Sequence, residues 1–102
     1  MKITFKNKKI EEMANTHKLL SKTHWEQAPR IIRRLDQLRA SPSLKQMAFD
    51  RPHELKGDRK GVFAVDIEHP YRILFKPLWE FDSWNRATIV EIEIEELCKD
   101  YH

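Results

Sequence analysis

Two short stretches of this sequence concentrate side chains that can do chemistry. The first is Arg51-Pro52-His53-Glu54-Leu55-Lys56-Gly57-Asp58-Arg59-Lys60-Gly61, which sets one histidine among four cations and holds both glycines of the chain. Glycine lets a backbone turn sharply and come close to a ligand. Arginine grips a phosphate through two parallel N–H donors, and lysine acts on it as a point charge. The second stretch is Asp100-Tyr101-His102, at the C-terminal side of the last apolar run. It offers two proton carriers and a phenol ring that can orient or stack on a base. Together they meet the demands of phosphodiester cleavage by a neighbouring 2′-hydroxyl. One group takes the hydroxyl proton, cations offset charge on the pentacovalent phosphorus, and another group protonates the leaving 5′-oxygen. Histidine suits either proton transfer because its reference pKa of about 6.5 lies near neutrality. Each stretch also has a plainer reading: a polar surface loop for the first, a frayed end for the second.

Other reactive side chains do not form a pattern. Cys98 and His102 stand four apart, but two ligands do not make a zinc site, so no metal is expected. With one cysteine, no disulfide can form within the chain, and Cys98 reads as a small packed residue. His17, His24 and His69 are scattered singly. No glycine motif of the nucleotide-binding kind occurs, and no cofactor is implied.

The elements that must position the two stretches follow from periodicity. Ile3 to Phe5 suggests a short strand. From Asn7, a side chain suited to cap a helix, to Ser21, the positions Ile10, Met13, Ala14, His17 and Leu20 keep helical spacing. A second helix is expected from Thr23, where Thr23-His24-Trp25-Glu26 fits a capping box, or from Pro29, which fits a first helical position. Its apolar stripe is Ala28, Ile31, Ile32, Leu35 and Leu38, its polar side carries Arg30, Arg33, Arg34 and Arg39, and Ser41-Pro42 ends it. After Gly61 the period changes to two. Val62–Ile67 and Tyr71–Lys76 read as strands around a His69-Pro70 turn, and Thr88–Glu95 as a third. In that third strand Val90, Ile92 and Ile94 share one face, and Glu91, Glu93 and Glu95 form an acidic ladder on the other, away from the helices. Residues 1–102 are thus expected to form a single α+β domain, two N-terminal helices on one face of a small antiparallel sheet. The lack of a long apolar run argues against a membrane span or a secretion signal, and points to a cytoplasmic protein with no membrane partner.

Charge adds a direction. The net charge is +3, but it is unevenly spread. Residues 1–60 hold 15 Lys and Arg against 7 Asp and Glu, a balance of +8, whereas residues 61–102 hold 4 against 9, a balance of −5. A basic half suits RNA or an acidic protein, and it also fits an ordinary solvated face.

Three motifs, in order, resemble one family. Pro52-His53-Glu54-Leu55-Lys56-Gly57-Asp58-Arg59-Lys60-Gly61 followed by Val62-Phe63-Ala64-Val65 looks like the loop and strand of HigB-like killer proteins of the RelE/ParE toxin superfamily. Tyr71-Arg72-Ile73-Leu74-Phe75 resembles their next strand, with its recurrent arginine, and Asp100-Tyr101-His102 resembles their C-terminal motif. The resemblance implies the toxin of a type II toxin–antitoxin pair, a metal-independent endoribonuclease that cuts mRNA in the ribosomal A site. It implies catalytic roles for His53, Asp100, Tyr101 and His102, and contacts to phosphate or ribosomal RNA for Lys56, Arg59, Lys60 and Arg72. It also implies a cognate antitoxin, acidic or of helix-turn-helix type, through which alone the pair would reach operator DNA. Two alternatives stay open: a ParE-like toxin that inhibits DNA gyrase without catalysis, and a degenerate member that only binds an antitoxin. The sequence departs from the pattern in the aromatic connection Pro77–Ala87, longer than the tight hairpin expected, and in Glu95–Lys99, which lengthens the path to Asp100.

Overall fold

The computed structural model describes residues 1–47, 52–55, 57, 61–78 and 85–100. The elements run β1 (Lys2–Phe5), α1 (Lys8–Asn15), α2 (His17–His24), α3 (Ala28–Ala40), a 3-10 turn (Leu44–Gln46), β2 (His53–Glu54), β3 (Phe63–Glu68), β4 (Tyr71–Pro77), a second 3-10 turn (Arg86–Thr88) and β5 (Glu91–Asp100).

The helical half is cut differently from the expectation. Asn7 caps α1 as its position suggested, its side-chain oxygen accepting the Ile10 N–H at 2.9 Å. The helix then breaks at Thr16, whose backbone is extended (φ −122°, ψ 101°), so one expected helix becomes two. Thr23 caps nothing. It lies inside α2 with its hydroxyl donating back to the carbonyls of Leu19 and Leu20, a local bond that threonine makes within helices. The next helix instead starts at Ala28-Pro29, where proline loses no helical hydrogen bond. Of its expected stripe Ala28, Ile31, Leu35 and Leu38 are buried, and Ile32 is partly buried against the same core.

Among the described residues the sheet has five strands in the order β1-β5-β4-β3-β2. It is mixed, not antiparallel throughout, because β1 lies parallel to β5, with Ile3 opposite Ile92 and Phe5 opposite Ile94. All other pairs are antiparallel. A parallel neighbour needs a long crossover, and here nearly the whole chain intervenes. The inner face carries Phe63, Val65, Ile67, Ile73, Phe75, Ile92, Ile94 and Leu97, packed with Leu20 and the α3 stripe into one core. Phe63 and Phe75 stack at 6.0 Å between ring centroids. On the outer face Leu55, Ala64 and Leu74 form a second, small cluster.

The last strand is longer and later than the periodicity suggested. It starts at Glu91, since Asn85 holds Thr88 in a 3-10 turn by accepting the Ala87 N–H, and Val90 is left exposed. It runs on to Asp100 through two register shifts against β4, one between Leu74 and Phe75 and one between Arg72 and Leu74. Bulges of this kind reset which face a side chain points to. Here they return Leu97 to the core after the Glu95-Glu96 pair has broken the alternation. The acidic ladder is partly matched by lysines of the flanking strands, Glu91 by Lys2 at 3.4 Å and Glu95 by Lys6 at 3.5 Å and Lys76 at 3.7 Å.

Candidate active site

His53 enters the sheet and not a free loop. It sits opposite Ala64, and Glu54 opposite Phe63, so β2 is a two-residue edge strand on β3. The pairing continues through the Leu55 N–H, which donates to the Val62 carbonyl at 2.8 Å. The half-buried carboxylate of Glu54 accepts the Gly61 N–H at 2.9 Å and joins the two ends of the connecting segment. Gly61 needs to be glycine there, as its φ is +92°, a region that L side chains rarely adopt.

Arg72 comes to His53 from β4. Its Nη1 lies 3.2 Å from Nε2 of the ring. Guanidinium only donates, so Nε2 is the acceptor and the ring proton belongs on Nδ1. Arg72 is held from its other side as well, Nε lying 2.9 Å from Oδ1 of Asp66. Asp66 is its register partner on β3. The ladders around Arg72 are irregular on both sides, with the β3–β4 register shifting between Asp66 and Glu68 and the β4–β5 register shifting next to Arg72 itself.

Asp100 arrives at the same end of the sheet by another route. It stands opposite Tyr71, and its neighbour Lys99 stands opposite Arg72. Side chains alternate along a strand, so Asp100 shares the face of Tyr71, which packs against the main core, while Arg72 points to the outer face. The structure thus brings His53 and Arg72 into contact and sets Asp100 one residue along, on the opposite side of the sheet. There it borders a cleft of about 450 Å³, lined among others by Ile10 and Met13 of α1, His24 of α2 and Cys98. Burial, then the carboxylates of Asp100 and Glu68, push the Cys98 thiol from an ordinary 9.0 up to about 11, which keeps it in the thiol form at neutral pH and makes it a poor nucleophile there. Lys56, Arg59, Lys60, Tyr101 and His102 lie outside the described residues.

Two residues enter the site without having been singled out in the sequence. One is Asp66, whose only sequence signal is a charge inside an apolar strand, six residues before Arg72 across a turn. The other is Arg86, from the 3-10 turn before β5. It donates to the carbonyl of Pro52 and holds its guanidinium 5.7 Å from the centre of the Phe63 ring. It thereby fastens the residue just before His53 to the core.

No protein-family model and no curated protein matches the sequence. Solved structures do match. The chain is similar to a YoeB/ParE toxin from Agrobacterium tumefaciens, with a TM-score of 0.62, 15% identity and all of both chains covered. It is also similar to a chain of a YoeB–YefM complex from Staphylococcus aureus, with a TM-score of 0.58, 20% identity, all of this chain and 97% of the other covered. At such identities the likeness is one of architecture: this chain has the α+β fold of YoeB/ParE toxins, as its motifs led one to expect.

Proposed function

We propose that this chain is the toxin of a type II toxin–antitoxin pair and acts as an mRNA endonuclease on the ribosome. The fold supports the toxin part of this reading. The observation that carries the cleavage part is the contact of Arg72 Nη1 with His53 Nε2 on the outer face of the sheet. A cation and a proton carrier side by side are what the 2′-hydroxyl reaction requires at one phosphate. In this reading Arg72, with Lys56, Arg59 and Lys60, holds the phosphate and offsets charge on its oxygens. His53 shares the two proton transfers with Tyr101 and His102, whereas Asp100, turned to the opposite face of the sheet from the His53–Arg72 contact, takes no part in them. The 2′-oxygen bonds to phosphorus as its proton leaves to the base, and the bond to the 5′-oxygen breaks as the acid supplies a proton. The products are a 2′,3′-cyclic phosphate and a 5′-hydroxyl. The finer HigB-like assignment rests on the three sequence motifs.

The partner in this proposal is a cognate antitoxin. The similarity to a chain of a YoeB–YefM complex supports it. The ParE half of the other neighbour's name favours a second reading, a gyrase inhibitor without catalysis. Induced expression with primer extension on cellular mRNA separates the two. Cleavage within translated messages, lost in His53→Ala and in a chain lacking residues 100–102, is the expected result. A general acid–base group typically contributes about 10²–10⁴-fold, so either change should leave little activity. Growth arrest at wild-type level in both variants, with intact mRNA, would overturn the nuclease and move the gyrase reading forward.

A further inference from the structure

Four residues link helix α3 to the edge strand β2 in a single line, through the backbone of one of them. Arg34 donates through Nε to the Asp66 carbonyl at 2.9 Å. Asp66 Oδ1 then lies 2.9 Å from Arg72 Nε, and Arg72 Nη1 lies 3.2 Å from His53 Nε2. We propose that Asp66 is a positioning residue, whose grip on the Nε edge of Arg72 aims the guanidinium end at the His53 ring.

Three observations support this. First, the ladder alone does not fix Arg72, because the register shifts beside it in both neighbouring strands. A long side chain at such a place needs a second anchor. Second, guanidinium can be taken from the side, through Nε, or end-on, through its two terminal nitrogens. Asp66 takes Nε, so the terminal nitrogens are turned forward, one of them to His53. Third, the Asp66 side chain is 62% exposed and that of Arg72 28% exposed, and ion pairs this open add little to stability. Orientation, and not folding, is therefore what the pair supplies. Asp66 is in turn held through its own carbonyl by Arg34 of α3.

The activity arm of the test rests on the ribonuclease reading, but the spectroscopic arm does not. Asp66→Ala removes the grip, whereas Asp66→Asn keeps an oxygen that accepts from Nε and drops the charge. In protein labelled with ¹⁵N at histidine, the wild type should show His53 Nε2 as an acceptor and Nδ1 as the protonated nitrogen. Asp66→Ala should give a mixture of tautomers, and Asp66→Asn should return the wild-type pattern. On mRNA, Asp66→Ala should lower kcat by about 10- to 100-fold, the scale of a misplaced catalytic group, and Asp66→Asn should recover most of the loss. A wild-type ¹⁵N pattern in Asp66→Ala would overturn the proposal. So would faster cleavage in both variants, since Asp66 would then merely repel phosphate. If the wild type itself does not cleave RNA, the nuclease reading fails and the ¹⁵N pattern alone decides the role of Asp66.

Discussion

Alkylation of Cys98 measures directly how β5 packs where it delivers Asp100. The thiol is pushed up to about 11, first by burial, then by the Asp100 and Glu68 carboxylates. Only the thiolate reacts, so at pH 7 the reactive fraction is about 10⁻⁴, against about 10⁻² for a thiol near 9.0. Iodoacetamide should therefore modify the folded chain about 100-fold more slowly than the urea-unfolded chain at the same pH. Mass spectrometry of timed samples gives both rates. Raising the pH should speed the folded reaction tenfold per unit up to about pH 11, while the unfolded reaction levels off near pH 9. The linkage has a definite sign. The unfolded thiol gives up its proton first, so this residue's contribution to stability is complete below pH 9 and is lost as the pH rises towards 11. Asp100→Asn removes the larger of the two carboxylate effects and should bring the midpoint down part of the way, which makes the thiol a reporter on the charge of Asp100. Equal rates for folded and unfolded chains at pH 8 would refute the partial burial of Cys98 against the core.

Three further outcomes test the framework. Ile31→Ala empties a fully buried position of α3 and should cost about 2–5 kcal/mol in urea unfolding; a loss below 1 kcal/mol would place α3 off the sheet. Gly61→Ala meets no atom within 4 Å, so its cost is backbone strain at φ +92° alone, about 1–2 kcal/mol and a fall of several degrees in Tm; an unchanged Tm would contradict that conformation. Glu95→Gln weakens pairs with Lys6 and Lys76 and should lower stability by about 0.5 kcal/mol in dilute buffer but not in 1 M salt; an effect indifferent to salt would exclude an electrostatic cause.

Legibility in the sequence followed how local the physics was. The Asn7 cap, the α3 stripe and the strands around His69-Pro70 depend on neighbours within a few residues, and their patterns are clear. The break at Thr16 has no glycine or proline to announce it. Thr23 and Pro29 are two valid start signals, and the structure takes the second, with Thr23 inside α2 beside the buried Leu20. The parallel seating of β1 on β5 joins the two ends of the chain, and four residues carry no sign of direction. At the site, a neighbouring strand for Arg72 was foreseeable from the hairpin. Asp66 was not, because what matters about it is its register across that hairpin and a bulge that local alternation does not encode. The Glu95-Glu96 pair did mark the other bulge: it breaks the period of two, and the strand absorbs the extra residue.

The unequal length of β1 and β5 leaves a strip of backbone with a particular hazard. β1 stops at Phe5, opposite Ile94, so from Glu95 to Asp100 no described strand pairs with that side of β5. Such a margin is a template on which a second copy can lay its own strand and begin an aggregate. Four charged side chains among those six residues, Glu95, Glu96, Lys99 and Asp100, oppose that by forcing any guest strand to bury or repel charge. The two bulges add a kink that a straight strand does not follow. The charges and bulges of the stretch that lengthens the path to the terminal motif therefore oppose the addition of a second copy's strand there. Smoothing it into an ideal strand, with β-branched residues in place of the charges, would trade solubility for regularity.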